Sequence, residues 1–189
     1  MSARSFVLLA FWLAAQPVHA ADFNLASLFE SLAAQRPGRA AFHEKKYLAL
    51  LDRPVESSGE LAFIPPDRLE KTTLKPRPER VVIDSDSVVL ERAGKRQSLR
   101  LIENPAVAVL VESVRATIAG DLNALTRTYS AQLQGDAPAW RLILRPLDPS
   151  LGTLVEHVEI SGAEARVGLV EIFQADGDRS VMTISPLKP

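Results

Sequence analysis

The hydrophobic positions change period several times along the chain, and each change marks an element. Leu25, Leu28, Phe29 and Leu32 fall on one stripe at helical spacing, opened by Asp22 or Asn24 and closed at Pro37-Gly38, which predicts a short amphipathic helix. The period then shortens. Ala41 to Leu51, Gly59 to Ile64 and Leu69 to Leu74 are apolar-rich runs broken by Pro54, Pro65-Pro66 and Pro76, the pattern of strands and turns. Arg80 to Ile83 and Val88 to Leu90 flank Asp84-Ser85-Asp86-Ser87 as a hairpin, and a further strand from Ser98 to Glu103 follows the turn at Ala93-Gly94-Lys95.

A second helical block follows Asn104-Pro105, a cap and first-turn proline, with Val107, Leu110, Val111, Val114 and Ile118 on one side and Gly120 as its stop. Asp121 then caps a shorter helix carrying Leu122, Leu125 and Tyr129. Strand alternation resumes at Trp140, Leu142 and Leu144; Leu154, Val158 and Ile160 precede a break at Ser161-Gly162; and two last strands flank Asp176-Gly177. The order helix, strands, helices, strands predicts an α+β fold, mainly antiparallel β, in which a curved sheet offers its concave apolar face to the helices.

The extreme N-terminus has a different pattern. Arg4 precedes an apolar run from Phe6 to Ala15, too short for the roughly 20 residues of a membrane span, and Val18-His19-Ala20 supplies the small residues of a cleavage point. Residues 1–20 are therefore expected to be a signal peptide cut after Ala20, leaving 21–189 as a single domain in the periplasm. The chain has no cysteine, so an exported protein of this composition is held by its core alone. The net charge of −1 argues against nucleic acid as a partner.

Catalytic and metal chemistry find little support. Beyond the leader only His43 and His157 remain of the 3 histidines, far apart in sequence and expected on strand surfaces. Nucleophile elbows, dinucleotide loops and phosphate loops are missing from the sequence. Asp176 and Asp178 read as a hairpin turn, and Arg68, Glu70 and Lys71 as a solvated charged face. No catalytic residue, metal or cofactor is expected. Lys75, Arg77 and Arg80 form a local basic patch that could dock an acidic partner or a lipid headgroup.

Several segments resemble one family. Ala41-Phe42-His43-Glu44, Gly59-Glu60-Leu61-Ala62-Phe63, then Pro66 and Leu69, then Pro78-Glu79 leading into Ile83-Asp84 and Val88-Val89-Leu90, are similar to the N-terminal half of the periplasmic outer-membrane lipoprotein carriers, the LolA-like family. A divergent branch linked to lipid and polyene biosynthesis is the closer likeness. The chain departs from the family at Ile64-Pro65-Pro66, where the carriers have an arginine before the proline, and at Lys71, where they usually have an aromatic. The resemblance implies a half-open β-barrel covered by a helical lid, acting as a monomer without catalysis. Its partners would be the acyl chains of a lipid or lipoprotein, an inner-membrane export machinery and an outer-membrane acceptor.

On that resemblance, the expected cavity lining is Phe42, Leu61, Phe63 and Leu69 early in the chain, Leu99 and Leu101 in the middle, and Trp140, Leu142, Leu144, Val158 and Ile160 late. The expected lid residues are Leu28 and Leu32 on the first helix and Leu110, Val111 and Val114 on the second. Alternating apolar residues equally suit a filled core, in which case the protein would be a non-catalytic envelope accessory or scaffold protein, acting in assembly or export of a glycolipid or polyene lipid.

Overall fold

The computed structural model describes residues 23–35 and 38–187, so the expected leader and its cleavage point after Ala20 lie outside the described residues. Helix α1 (Leu25–Ala33) begins at Asn24, whose side-chain oxygen accepts from the Ser27 N–H at 3.0 Å while the Asn24 N–H donates to Ser27 Oγ at 2.9 Å. This reciprocal cap satisfies two of the orphan donors at a helix start. A first meander follows: β1 (Arg39–Tyr47), β2 (Val55–Ile64), β3 (Arg68–Lys75), β4 (Glu79–Asp84), β5 (Ser87–Arg92) and β6 (Lys95–Arg100). A 3-10 turn leads into α2 (Pro105–Ala119) and α3 (Leu122–Thr128). The second meander comprises β7 (Tyr129–Asp136), β8 (Ala139–Pro146), a single turn α4 (Pro149–Gly152), β9 (Val155–Ala163), β10 (Arg166–Gln174) and β11 (Arg179–Pro186).

The two meanders are fused into an 11-stranded sheet of order β6-β5-β4-β3-β2-β1-β11-β10-β9-β8-β7, antiparallel at every pairing. The sheet is unclosed, with β6 and β7 as its edges. Its curvature follows from α2. Val111 packs with Val88 and Leu101 at one end of the sheet, while Val109 and Ala116 belong to the core that holds Val158 and Ile160 at the other. A flat sheet cannot bring both ends to one helix. Alternation then divides the side chains: Leu61, Lys71 and Val81 share the inner face by register, and Ala62, Glu70 and Val82 the outer.

Several local details differ from the pattern reading. The strand expected through Glu103 stops at Arg100, because the Leu101 and Ile102 N–H groups turn back to Asp86, at 2.9 and 3.1 Å, and start the 3-10 turn. Asn104 sits at the N-cap of α2 but its side chain donates to the Arg100 carbonyl instead of capping. Tyr129 opens β7 instead of continuing a helix, and its buried hydroxyl donates to the Val109 carbonyl at 2.5 Å. Ser161-Gly162 stays within β9. A Cβ on Gly162 would stand 2.5 Å from the Trp140 ring, so the glycine is there to admit the indole on the neighbouring strand.

Candidate functional site

The inner face has two unlike halves. Across β8 and β9, Trp140, Leu142, Leu144, Val158 and Ile160 are buried in one cluster with Leu28, Phe29, Leu125 and Tyr129 from the helices and β7. The Trp140 Nε1–H donates to the Glu164 carbonyl at 2.8 Å, which satisfies the indole's one polar atom. These five late residues and Leu28, expected on a cavity wall and a lid, are thus packed core. The reason is coverage: α1 and α3 lie side by side against α2 over this half, and Gly120 allows the tight join. It adopts φ +69° at the end of α2, and a Cβ there would meet the Ala33 nitrogen at 2.4 Å and the Phe29 carbonyl oxygen at 2.5 Å.

Over the other half the helices stand off the sheet and leave a cavity of about 780 Å³. Leu61, Phe63 and Leu69 form its wall on β2 and β3, joined by Val81 and Ile83 on β4. Val170, Ile172, Met182 and Ile184 form the wall on β10 and β11, and Leu32, Leu110, Val111, Val114 and Ile118 form the roof. Gln35, Gly38, Pro65, Pro66 and Ala165 rim one end. Of the expected lining residues, Leu61, Phe63 and Leu69 meet here with the roof residues Leu32, Leu110, Val111 and Val114. Leu99 and Leu101 instead pack beside Val88 and Val111 in a satellite cluster, because the 3-10 turn folds Leu101 under α2.

Phe42 is buried at 3% exposure and stands beneath the ammonium of Lys71, which lies 4.8 Å from the ring centroid. That ammonium donates to Glu44 Oε2 at 2.5 Å, and the same carboxylate accepts from Ser57 Oγ at 3.2 Å and Ser180 Oγ at 2.8 Å. Lys46 adds a second ammonium 3.7 Å away. Burial works to raise the Glu44 pKa, but the charge and hydrogen bond of Lys71, aided by Lys46 and Ser180, outweigh it and hold the carboxyl below the ordinary glutamate value. Glu44, Lys71 and Ser180 all border the cavity and were missed as site residues. The sequence pattern groups Lys71 with Arg68 and Glu70 as one solvated face. Alternation separates them: Glu70 pairs on the outer face with Arg68 at 2.6 Å and with Arg80, one residue of the basic patch, at 2.9 Å, while Lys71 turns inward.

Elsewhere the polar candidates make local contacts away from the cavity. His43 contacts Glu56 at 3.1 Å on the exposed face, and His157 is stacked on Phe173 at 4.2 Å, more buried than a strand-surface position implies. Asp178 accepts from the Ala49 N–H at 2.8 Å, tying the β10–β11 hairpin to the loop after β1. Among the described residues no cluster of three or more histidine, aspartate or glutamate side chains could hold a metal ion.

Among curated proteins, none matches the sequence. Similar solved structures include a LolA superfamily protein from Nitrosomonas europaea, 12% identical over 87% of this chain and 92% of that chain, with a TM-score of 0.47. A putative outer membrane lipoprotein-sorting protein domain from Vibrio parahaemolyticus is 12% identical over 87% and 90%, with a TM-score of 0.45. The Mycobacterium tuberculosis lipoprotein LppX is 12% identical over 87% and 96%, with a TM-score of 0.41. The family model described as outer membrane lipoprotein carrier protein LolA-like matches residues 15–185, nearly the whole chain, and the protein therefore belongs to the LolA-like family.

Proposed function

We propose that this protein is a periplasmic carrier that holds the acyl chain of a lipoprotein or another lipid in the cavity between the helices and β1–β4 with β10–β11, and delivers it towards the outer membrane. The observation that carries this reading is the cavity itself: about 780 Å³, walled by leucine, valine, isoleucine and phenylalanine side chains. Ligand-sized pockets span roughly 300–1,000 Å³ and are mostly apolar. Each methylene moved there from water contributes about 0.8 kcal/mol, so ten are worth about 8 kcal/mol before ordering costs, the scale of a micromolar dissociation constant. An affinity of that size holds cargo in transit and still lets it go to a tighter acceptor. Transfer of this kind makes and breaks no covalent bond, so the proposed role is non-catalytic.

The test has two parts. Protein purified gently from its native envelope is expected to carry lipid visible by native mass spectrometry, and the delipidated protein to bind a fluorescent fatty acid. Val114→Trp, which places an indole in the roof of the cavity, is expected to weaken that binding at least about tenfold, the loss of some two buried methylenes. Absence of both co-purified lipid and fatty-acid binding would leave the envelope scaffold as the better reading, which the packed β8–β9 half and the unpaired β6 and β7 edges support.

A further inference from the structure

One end of the cavity is polar, and the strand register identifies it. On the inner face Ala40, Leu61, Lys71 and Val81 form one row across β1 to β4, and Phe42, Gly59 and Thr73 form the next. The Lys71 side chain leaves its own row, passes over the Phe42 ring and reaches Glu44. Ser180 and Lys46 face each other across β1 and β11 at this same end. The opposite end, past Phe63 and Leu69, is the apolar rim at Pro65 and Pro66.

The fold itself has little need of such a pair. Replacing a buried ion pair with apolar residues of similar volume is often neutral or stabilising, whereas a few placed polar groups in an apolar pocket orient a ligand. The composition of this cluster is also unbalanced, since one carboxylate, Glu44, faces two ammonium groups, Lys71 and Lys46. Lys71 has three N–H donors, and Glu44 takes one of them. The other acidic residues that border the cavity, Glu70 at its outward-facing edge and Asp121 at the end of α2, are committed elsewhere. Glu70 is held by Arg68 and Arg80, and Asp121 accepts from the Ala124 N–H to cap α3.

Resting on the carrier reading and narrowing its cargo, we infer that Lys71 is a headgroup anchor: the cavity takes an acyl chain bearing an anionic oxygen group, which accepts from Lys71 beside Lys46. The chain then runs past Leu61 towards Phe63 and Leu69. Fatty carboxylates and lipid phosphates share this chemistry.

The experiment compares hexadecanoate, hexadecyl phosphate and hexadecanol as competitors of a bound fluorescent fatty acid on delipidated protein. At least one anionic ligand is expected to bind about tenfold or more tighter than the alcohol, the scale of one charge-assisted hydrogen bond, and the preferred anion names the source. In the paired variant Glu44→Gln with Lys71→Met, which leaves no buried charge uncompensated, the ratio of anion to alcohol affinity should collapse towards unity. Lys71→Arg keeps both the charge and the contact to Glu44 and should preserve the ratio even if the paired variant folds poorly. Equal binding of all three ligands to the unmodified protein, or a ratio that survives in the folded paired variant, overturns the anchor and leaves the carrier reading intact. Binding of none overturns both.

Discussion

Leu142 and Leu61 point to the same side of the sheet, yet truncating them should have unequal costs. Leu142 is fully buried under the helices, so Leu142→Ala is expected to lose about 2–5 kcal/mol of unfolding free energy. Leu61 borders empty space, so alanine there merely enlarges an existing void, and the loss should stay below about 2 kcal/mol. Urea denaturation of the two variants measures the difference, and equal costs would mean that the cavity is filled in solution. Glu44 makes a second, pH-dependent prediction. Its folded pKa lies below the ordinary 4.5, so the stabilisation is present above the unfolded value and is lost as pH falls through the folded one. The wild-type denaturation midpoint should therefore drop on acidification below about pH 4.5, while Glu44→Gln should be less stable at neutral pH and flatter across the acid range.

At the scale of elements, the join between α2 and α3 is the tightest constraint on the helical layer. Gly120→Ala combines a positive φ with backbone clashes against α1, so it should lower stability by at least about 2 kcal/mol and disturb the roof. The expected sign is a loss of thermal stability that is larger than that of Gly94→Ala, whose added methyl meets nothing. Elements of this kind were legible in the sequence where local chemistry decides them. Asn24, Gly120 and Asp121 mark helix ends by capping, and Leu142 and Leu144 alternate with the exposed Arg141 and Arg145 along β8. What alternation cannot say is whether a helix rests on that face. Trp140 and Leu61 carry the same period-2 signal, and only the placement of α1 and α3 makes one core and the other wall. Lys71 was opaque for the related reason that its role depends on Glu44, a residue of another strand 27 positions away. The strand reading runs past Leu101 because Leu99 continues the alternation up to it, whereas the Leu101 and Ile102 N–H groups that end the strand donate to Asp86, 15 and 16 positions back.

Among the described residues the sheet has two open edges, β6 and β7, which must be kept from pairing with other chains. On β6 the sequence Lys-Arg-Gln-Ser-Leu-Arg does so with charge, since Lys95, Arg96 and Arg100 are all exposed along that edge. Replacing Arg96 and Arg100 together with valine should leave the monomer fold intact and raise concentration-dependent association, seen by light scattering; an unchanged monomer would place the protection elsewhere. The order of strands has a further consequence. Its central seam pairs β1 with β11, so that Phe42 lies beside Ile184. Each meander can zip up from neighbouring hairpins as soon as it is made, but β1 keeps one flank bare until β11 has arrived. A polypeptide threaded N-terminus first through a narrow pore would therefore emerge as two half-built leaves, and the hollow between them would not exist until this eleventh strand had come through.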